Sequence, residues 1–181
     1  MPISVRELSL SGIWELVPSK KKDPRGYFSR LFCQEELISI NKGKNILQMN
    51  LSFSEEAGTV RGMHFQLPPY QEDKIVRCVK GSIFDVVVDI RENSPTYGQW
   101  ESIELNASTS NALYISKGFA HGFQTLEDNC EVLYCHTEIH VPEAESGFNS
   151  QCERLGIIWP KEPKNLSKRD KDLTSFDGVK K

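Results

Sequence analysis

The chain has 181 residues, 38% of them hydrophobic, with 22 Lys and Arg against 25 Asp and Glu and a formal net charge of −3. That length supports one domain with a real core. The near balance argues against a surface built to hold DNA or RNA, while a local basic pocket stays open. No apolar run approaches membrane-spanning length, and the start Met1-Pro2-Ile3-Ser4-Val5-Arg6-Glu7 lacks the basic-then-apolar pattern of a secretory signal, so a cytoplasmic, membrane-free protein is expected.

In chain order, Lys20, Lys21 and Lys22 form a charge run that reads as a solvated loop. Residues 34–39 can hold a turn or two of helix before the breaker-like Asn41-Lys42-Gly43-Lys44. From about 47 to 160 the chain reads as short β-strands separated by turns. Residues 74–80 and 83–91 are rich in β-branched side chains, and Lys80-Gly81 between them predicts a tight hairpin. Asn93-Ser94-Pro95-Thr96-Tyr97-Gly98 is a turn cluster. Strand-like runs follow at 100–105, 112–115, 122–126 and 131–137. Beyond Pro160 the composition turns polar and Lys-rich, which predicts an irregular tail over 161–181 with one helical turn near Ser167. The expected organisation is a single all-β domain over 1–181, a β-sandwich or jelly roll with its core at about 47–160 and short helical segments at the ends.

Five cysteines, Cys33, Cys78, Cys130, Cys135 and Cys152, are odd in number and share no CxxC spacing, so reduced thiols are expected rather than a disulfide framework or a zinc cage. The histidines His64 and His121 sit in the apolar contexts Arg61-Gly62-Met63-His64-Phe65-Gln66 and Gly118-Phe119-Ala120-His121-Gly122-Phe123. Taken alone, each reads first as a hydrogen-bonded core residue. A metal-binding jelly roll needs two imidazoles on one strand as His-x-His, with a carboxylate soon after. Gln66 occupies the second place here, so no metal is expected and a metal-free acid–base role stays open. Arg25 and Arg61 each precede a glycine; an arginine fork suits phosphate oxygens, and a surface salt bridge is the plainer reading of either one. Arg61, three residues before His64, shares its face only if Gly62 marks a bulge. Tyr134 reads as a strand aromatic, and Asp170 as an ordinary tail charge.

Read together, the segments carry more. Arg61-Gly62-Met63-His64-Phe65-Gln66, Lys74-Ile75-Val76-Arg77-Cys78, Phe84-Asp85-Val86-Val87-Val88-Asp89-Ile90-Arg91, Ser94-Pro95-Thr96-Tyr97-Gly98, Gly118-Phe119-Ala120-His121-Gly122-Phe123, Leu133-Tyr134, Leu155-Gly156-Ile157-Ile158-Trp159-Pro160 and the stretch from Leu166 to Asp170 occur in fixed order. In this order the chain strongly resembles the dTDP-4-dehydrorhamnose 3,5-epimerase family from about Gly12 to Asp170. The resemblance implies a cupin-like jelly roll, metal-free, cofactor-free and usually homodimeric, acting on a nucleotide-diphosphate-linked 4-keto-6-deoxyhexose. It implies His64 as the base, Asp170 as its orienting carboxylate, Tyr134 as the acid on the opposite sugar face and Lys74 beside the C4 oxygen. It also implies Arg25 and Arg61 on the diphosphate, Gln48 and Asn50 at the nucleotide, and substrate contacts at His121, His140, Glu145 and Arg169.

The chain departs from the family pattern at Arg30, where a Glu is usual, and at Met49, where an Asp is usual. His140, preceded by Ile139, takes the aromatic position that stacks on thymine, and a typical Trp is replaced near Ser150. These positions are expected on the nucleotide or sugar-binding side, leaving the acid–base set intact. Open alternatives are inversion of C3 or C5 alone, a CDP- or GDP-linked sugar, and a sugar-nucleotide-binding jelly roll without catalysis.

Overall fold

Two antiparallel sheets face each other in a computed structural model that describes residues 2–177. The strands are β1 (Ile3–Glu7), β2 (Ile13–Pro18), β3 (Lys20–Asp23), β4 (Gly26–Ser29), β5 (Gln48–Ser54), β6 (Val60–Gln66), β7 (Lys74–Lys80), β8 (Ser82–Asp89), β9 (Trp100–Asn106), β10 (Ala112–Ile115), β11 (Phe119–Thr125), β12 (Cys130–His136) and β13 (Glu145–Gly147). Two short helices, α1 (Ile38–Asn41) and α2 (Lys168–Asp172), lie near the two ends of the chain. One sheet has the order β1-β2-β10-β7-β12-β5 and the other β13-β6-β11-β8-β9, while β3 and β4 form a separate hairpin. This is the jelly-roll sandwich expected from the short, turn-separated strands.

Alternation along the strands explains the packing. Val76 and Cys78 of β7, Leu113 and Ile115 of β10 and Val132 of β12 meet Ile83 and Val87 of β8 and Phe123 of β11 between the sheets. Each such side chain removed from water stabilises the fold by about 1.5–3 kcal/mol before its ordering entropy is counted. Val86 and Val88 point the other way, under Phe148, Leu155 and Phe176. On the far side of the other sheet, Leu37 and Ile40 cover Leu16, Ile75 and Tyr114. Both faces of β8 are therefore covered, which is why its valine run does not alternate with polar residues.

Several expectations are corrected. Lys80-Gly81 is not a hairpin turn: β7 pairs with β10 and β12, and β8 with β9 and β11, so the chain changes sheets there. Gly81 has φ +78°, and a Cβ on it would come within 2.6 Å of Cys130 Sγ, so the corner needs glycine. The lysine run is solvated, but as strand β3 rather than a loop. The sandwich begins well before residue 47, since β1 and β2 belong to the larger sheet and Ile13 and Leu16 are fully buried. Their charged outward partners hid them. The N-terminal helix falls at 38–41, after a turn in which Leu37 N–H bonds to Cys33 O.

The tail expected to be irregular is docked over its described part. Lys164 bridges Thr59, Ser167 Oγ accepts the Asp170 N–H at 3.0 Å to cap α2, and Phe176 is buried. The remainder of that segment, 178–181, lies outside the described residues. All five cysteines are unpaired, consistent with reduced thiols.

Candidate active site

Towards one end of the sandwich the inward positions change from apolar to polar. On β7 the series runs Cys78, Val76, Lys74, and on β12 it runs Val132, Tyr134, His136. Tyr134 lies opposite Val76 and Asn50, and His136 opposite Lys74 and Gln48, so three strands turn polar at the same level. Across the gap, β6 and β11 of the other sheet supply Arg61, His64 and His121. The result is a cleft of about 870 Å³ between the sheets, within the size range of small-ligand sites.

His64 and Arg61 share this cleft because β6 carries one residue too many. His121 pairs with His64 and Phe123 with Arg61, so three steps on β6 match two on β11. That is the bulge expected at Gly62. Gly62 has φ +121°, and a Cβ there would lie 2.6 Å from Gly122 Cα and 2.7 Å from His121 O. Only glycine lets the two backbones approach so closely. Arg61 then donates from Nε to Ser54 Oγ at 3.1 Å and from Nη2 to Phe53 O at 2.8 Å.

On this wall His64 Nε2 is 2.6 Å from Asp170 Oδ1. Asp170 is only 4% exposed. Burial alone would raise its carboxyl, but the hydrogen bond and charge of His64 outweigh this and hold it below the ordinary value. A carboxylate only accepts, so Nε2 is the donor in this pair.

Tyr134 stands on the opposite sheet, its hydroxyl 3.1 Å from Ser52 Oγ. Burial pushes its phenol well above the ordinary range, so it stays protonated at neutral pH. Lys74 is nearly buried and its ammonium is 2.9 Å from Glu72 Oε1. Although burial opposes its ionisation, hydrogen bonds and charge from His136 and Lys74 bring the Glu72 carboxyl down to about 2. His121 Nε2 lies 2.8 Å from Asp85 Oδ2, and burial raises that aspartate above its ordinary value.

At the rim, His140 Nε2 is 3.1 Å from Glu145 Oε2, and Arg169 Nη1 is 2.8 Å from the same oxygen. The His140 N–H donates to Gln48 Oε1 at 3.0 Å, and Gln48 Nε2 donates to Asn50 Oδ1 at 3.2 Å. The cleft thus brings together His64, Tyr134, Asp170, Lys74, Gln48, Asn50, Arg61, His121, His140, Glu145 and Arg169. It does not bring in Arg25 of the same chain. That side chain is 89% exposed on the β3–β4 hairpin and ion-paired with Asp23 at 2.7 Å.

Of the departures from the family pattern, only His140 lines this chain's cleft. Met49 points outward from β5, Arg30 pairs with Glu36, and Ser150 is buried beside Trp159, whose Nε1 donates to its carbonyl. The expectation that all four lie at the substrate side is corrected for a single chain. Sequence reading missed Glu72 and His136 of the cleft, and Asp85, which is buried behind it against His121. Strand parity could have found them. Asp85 interrupts the inward apolar series of Ile83 and Val87, Glu72 is two before Lys74, and His136 is two after Tyr134.

A jelly roll with a His–Asp couple on one wall of its cleft and a protonated tyrosine beside a lysine on the other defines an acid–base isomerase. The family model of dTDP-4-dehydrorhamnose 3,5-epimerase matches residues 7–178, and the chain belongs to that family. It is 40% identical to the dTDP-4-dehydrorhamnose 3,5-epimerase of Sinorhizobium fredii over 86% of this chain and 80% of that one. It is 38% identical to the dTDP-4-dehydrorhamnose 3-epimerase of Streptomyces niveus over 93% of this chain and 81% of that one. Among solved structures, the dTDP-6-deoxy-D-glucose-3,5-epimerase of Legionella pneumophila, in complex with dTDP-4-keto-L-rhamnose, superposes with a TM-score of 0.92 at 30% identity, covering 98% of this chain and 95% of that one.

Proposed function

We propose that this epimerase converts dTDP-4-keto-6-deoxy-D-glucose into dTDP-4-keto-L-rhamnose, inverting C3 and C5 without a cofactor. The observation that carries the reading is that His64 and Tyr134 stand on opposite sheets across one cleft. Inversion requires a proton to leave one face of the sugar and return to the other, so base and acid must come from opposite walls. In this reading His64, oriented by Asp170, removes the proton α to the C4 ketone. Lys74 stabilises the enolate oxygen as charge develops. Tyr134, kept neutral by burial, returns a proton to the opposite face. The substrate's own ketone acidifies both carbons.

Arg61, Gln48, Asn50, His121, His140, Glu145 and Arg169 are assigned to the nucleotide diphosphate and sugar. The relative from Streptomyces niveus, named a 3-epimerase, favours a second reading in which C3 alone is inverted. Incubation in D2O with the dTDP-linked keto sugar, followed by proton NMR, separates the readings. Exchange at C3 and C5 is expected; exchange at C3 alone selects the second reading, and no exchange sinks both.

We also assign a homodimer. Strand β5 is a sheet edge whose outward Met49, Leu51 and Phe53 are exposed, and Tyr27 and Phe28 are exposed on the β3–β4 hairpin. An apolar edge of this kind is normally covered. In such a pair the hairpin of one copy carries Arg25 to the diphosphate of the other. Light scattering should give twice the chain mass, and a monomer mass would remove both assignments.

A further inference from the structure

The sugar end of the cleft contains a chain of contacts that the acid–base scheme does not use. Lys74 Nζ lies 2.9 Å from Glu72 Oε1, and the other oxygen, Oε2, lies 2.8 Å from His136 Nδ1. One carboxylate is thus shared between an ammonium and an imidazole. All three side chains are almost wholly enclosed, with exposures of 10%, 9% and 12%. A buried ammonium without a counter-charge would lose its proton, and a buried carboxylate with one free oxygen would be under-satisfied. Glu72 answers the first need and His136 the second. The His136 ring also lies parallel to Tyr134, with centroids 6.1 Å apart and planes at 19°, which limits its movement.

We propose that Glu72 and His136 are positioning residues for the epimerase reaction, Glu72 keeping the Lys74 ammonium charged and aimed at the C4 oxygen, and His136 locking Glu72 in the orientation that does so. This rests on the epimerase reading above. His136 Nδ1 faces the carboxylate and donates to it, and its Nε2 lies 3.4 Å from the Asn50 amide nitrogen. The carboxylate therefore has a fixed geometry on both sides. A flexible lysine held at only one end would sample several rotamers and spend less time at the reacting oxygen.

Other titratable groups of the same cleft include Tyr134 on β12, His121 on β11, and Arg61 and His64 on β6, and the buried Asp85 on β8 interacts electrostatically with Lys74. Asp73, next in sequence, is turned away to Lys44 and Tyr114. Glu72 is therefore the carboxylate in direct contact with Lys74. Removing its charge leaves the enclosed ammonium without its counter-ion, so the alkaline limb of the activity profile reads this contact.

The test uses the full-length enzyme and the dTDP-linked keto sugar. Wild type is assayed first, because absence of turnover there would count against the epimerase reading itself. Glu72→Gln should then lower kcat by about 10- to 100-fold with KM changed less than about threefold. The alkaline limb of its kcat–pH profile should move down by about one pH unit or more. Glu72→Asp keeps the charge and should return that limb to the wild-type position. His136→Ala should reduce kcat by about three- to tenfold with the limb unmoved, whereas His136→Gln, which keeps a donor, should recover most of the loss. An active wild type with an unshifted limb in Glu72→Gln overturns the proposal, whatever happens to kcat. Should Glu72→Gln fail to fold, equal activity of His136→Ala and wild type overturns it.

Discussion

Asp170 Oδ1 lies 2.6 Å from His64 Nε2 although 106 residues separate the two in the chain. The short helix α2, capped by Ser167, delivers the carboxylate from the C-terminal segment to β6. Three variants divide the work of this wall from that of the other. His64→Ala should abolish deuterium incorporation into the keto sugar while leaving nucleotide binding nearly intact. Asp170→Asn should retain binding and lower kcat by about 10²-fold, because the imidazole loses both its orientation and its counter-charge. Tyr134→Phe should still exchange protons but invert poorly. Full exchange in His64→Ala, or unchanged inversion in Tyr134→Phe, would remove that residue from its assigned role.

Gly62 sets the register on which this arrangement depends. Its Cβ would meet the backbone of β11, not the end of a flexible side chain, and its φ of +121° is strained for any other residue. Gly62→Ala should therefore destabilise the protein by at least about 2 kcal/mol. Activity should fall further than the folded fraction does, because His64 and Arg61 move together. Urea unfolding and kcat measured on one preparation check this; a wild-type midpoint would show that the bulge tolerates a side chain.

Asp89 should govern part of the acid stability, away from the cleft. It is fully buried and accepts hydrogen bonds from Ser94 Oγ at 2.5 Å, Thr96 Oγ1 at 2.6 Å and Arg91 Nη2 at 2.7 Å. Burial opposes its charge, yet these bonds bring it down to about 2. A carboxyl whose folded pKa is depressed contributes stability above its unfolded value and loses it as pH falls through the folded one. The contribution is about 2 kcal/mol at neutral pH and disappears between about pH 4 and 2. Asp89→Asn should lower the urea midpoint at pH 7 and flatten its dependence on pH in that window, with little effect on kcat. An unchanged slope would show that the carboxylate is not the acid-sensitive group.

Strand parity explains both the success and the misses of reading the site in the sequence. Alternation made β7, β10 and β12 visible as strands almost to the residue. The same alternation contained Glu72 and His136, but a charge beside a strand end is ambiguous until the partner strand is known. Asp170 carried no local signal at all, since its neighbours Lys168, Arg169 and Lys171 are those of any solvated tail. Its assignment came from resemblance, and its burial came from docking. The hairpin expected at Lys80-Gly81 failed for a related reason: glycine signals a sharp change of direction, not which strand waits on the far side.

Local pattern in the chain was enough for an all-β sandwich and, through the ordered motifs, for the epimerase family. These follow from local periodicity and residue chemistry, which do not depend on distant contacts. Only the tertiary structure decided that β7 and β8 part into different sheets and that one extra residue at Gly62 brings Arg61 and His64 to one wall. It also decided that Arg25 lies outside its own chain's cleft and that Glu72 joins Lys74 to His136. Each of these is a relation between segments far apart in the chain, set by how two sheets bury their apolar faces against each other. The near-neutral charge that the chain shows as a whole is resolved in the same way, into a cleft where each histidine faces a carboxylate and two cations, Lys74 and Arg169, are held by glutamates.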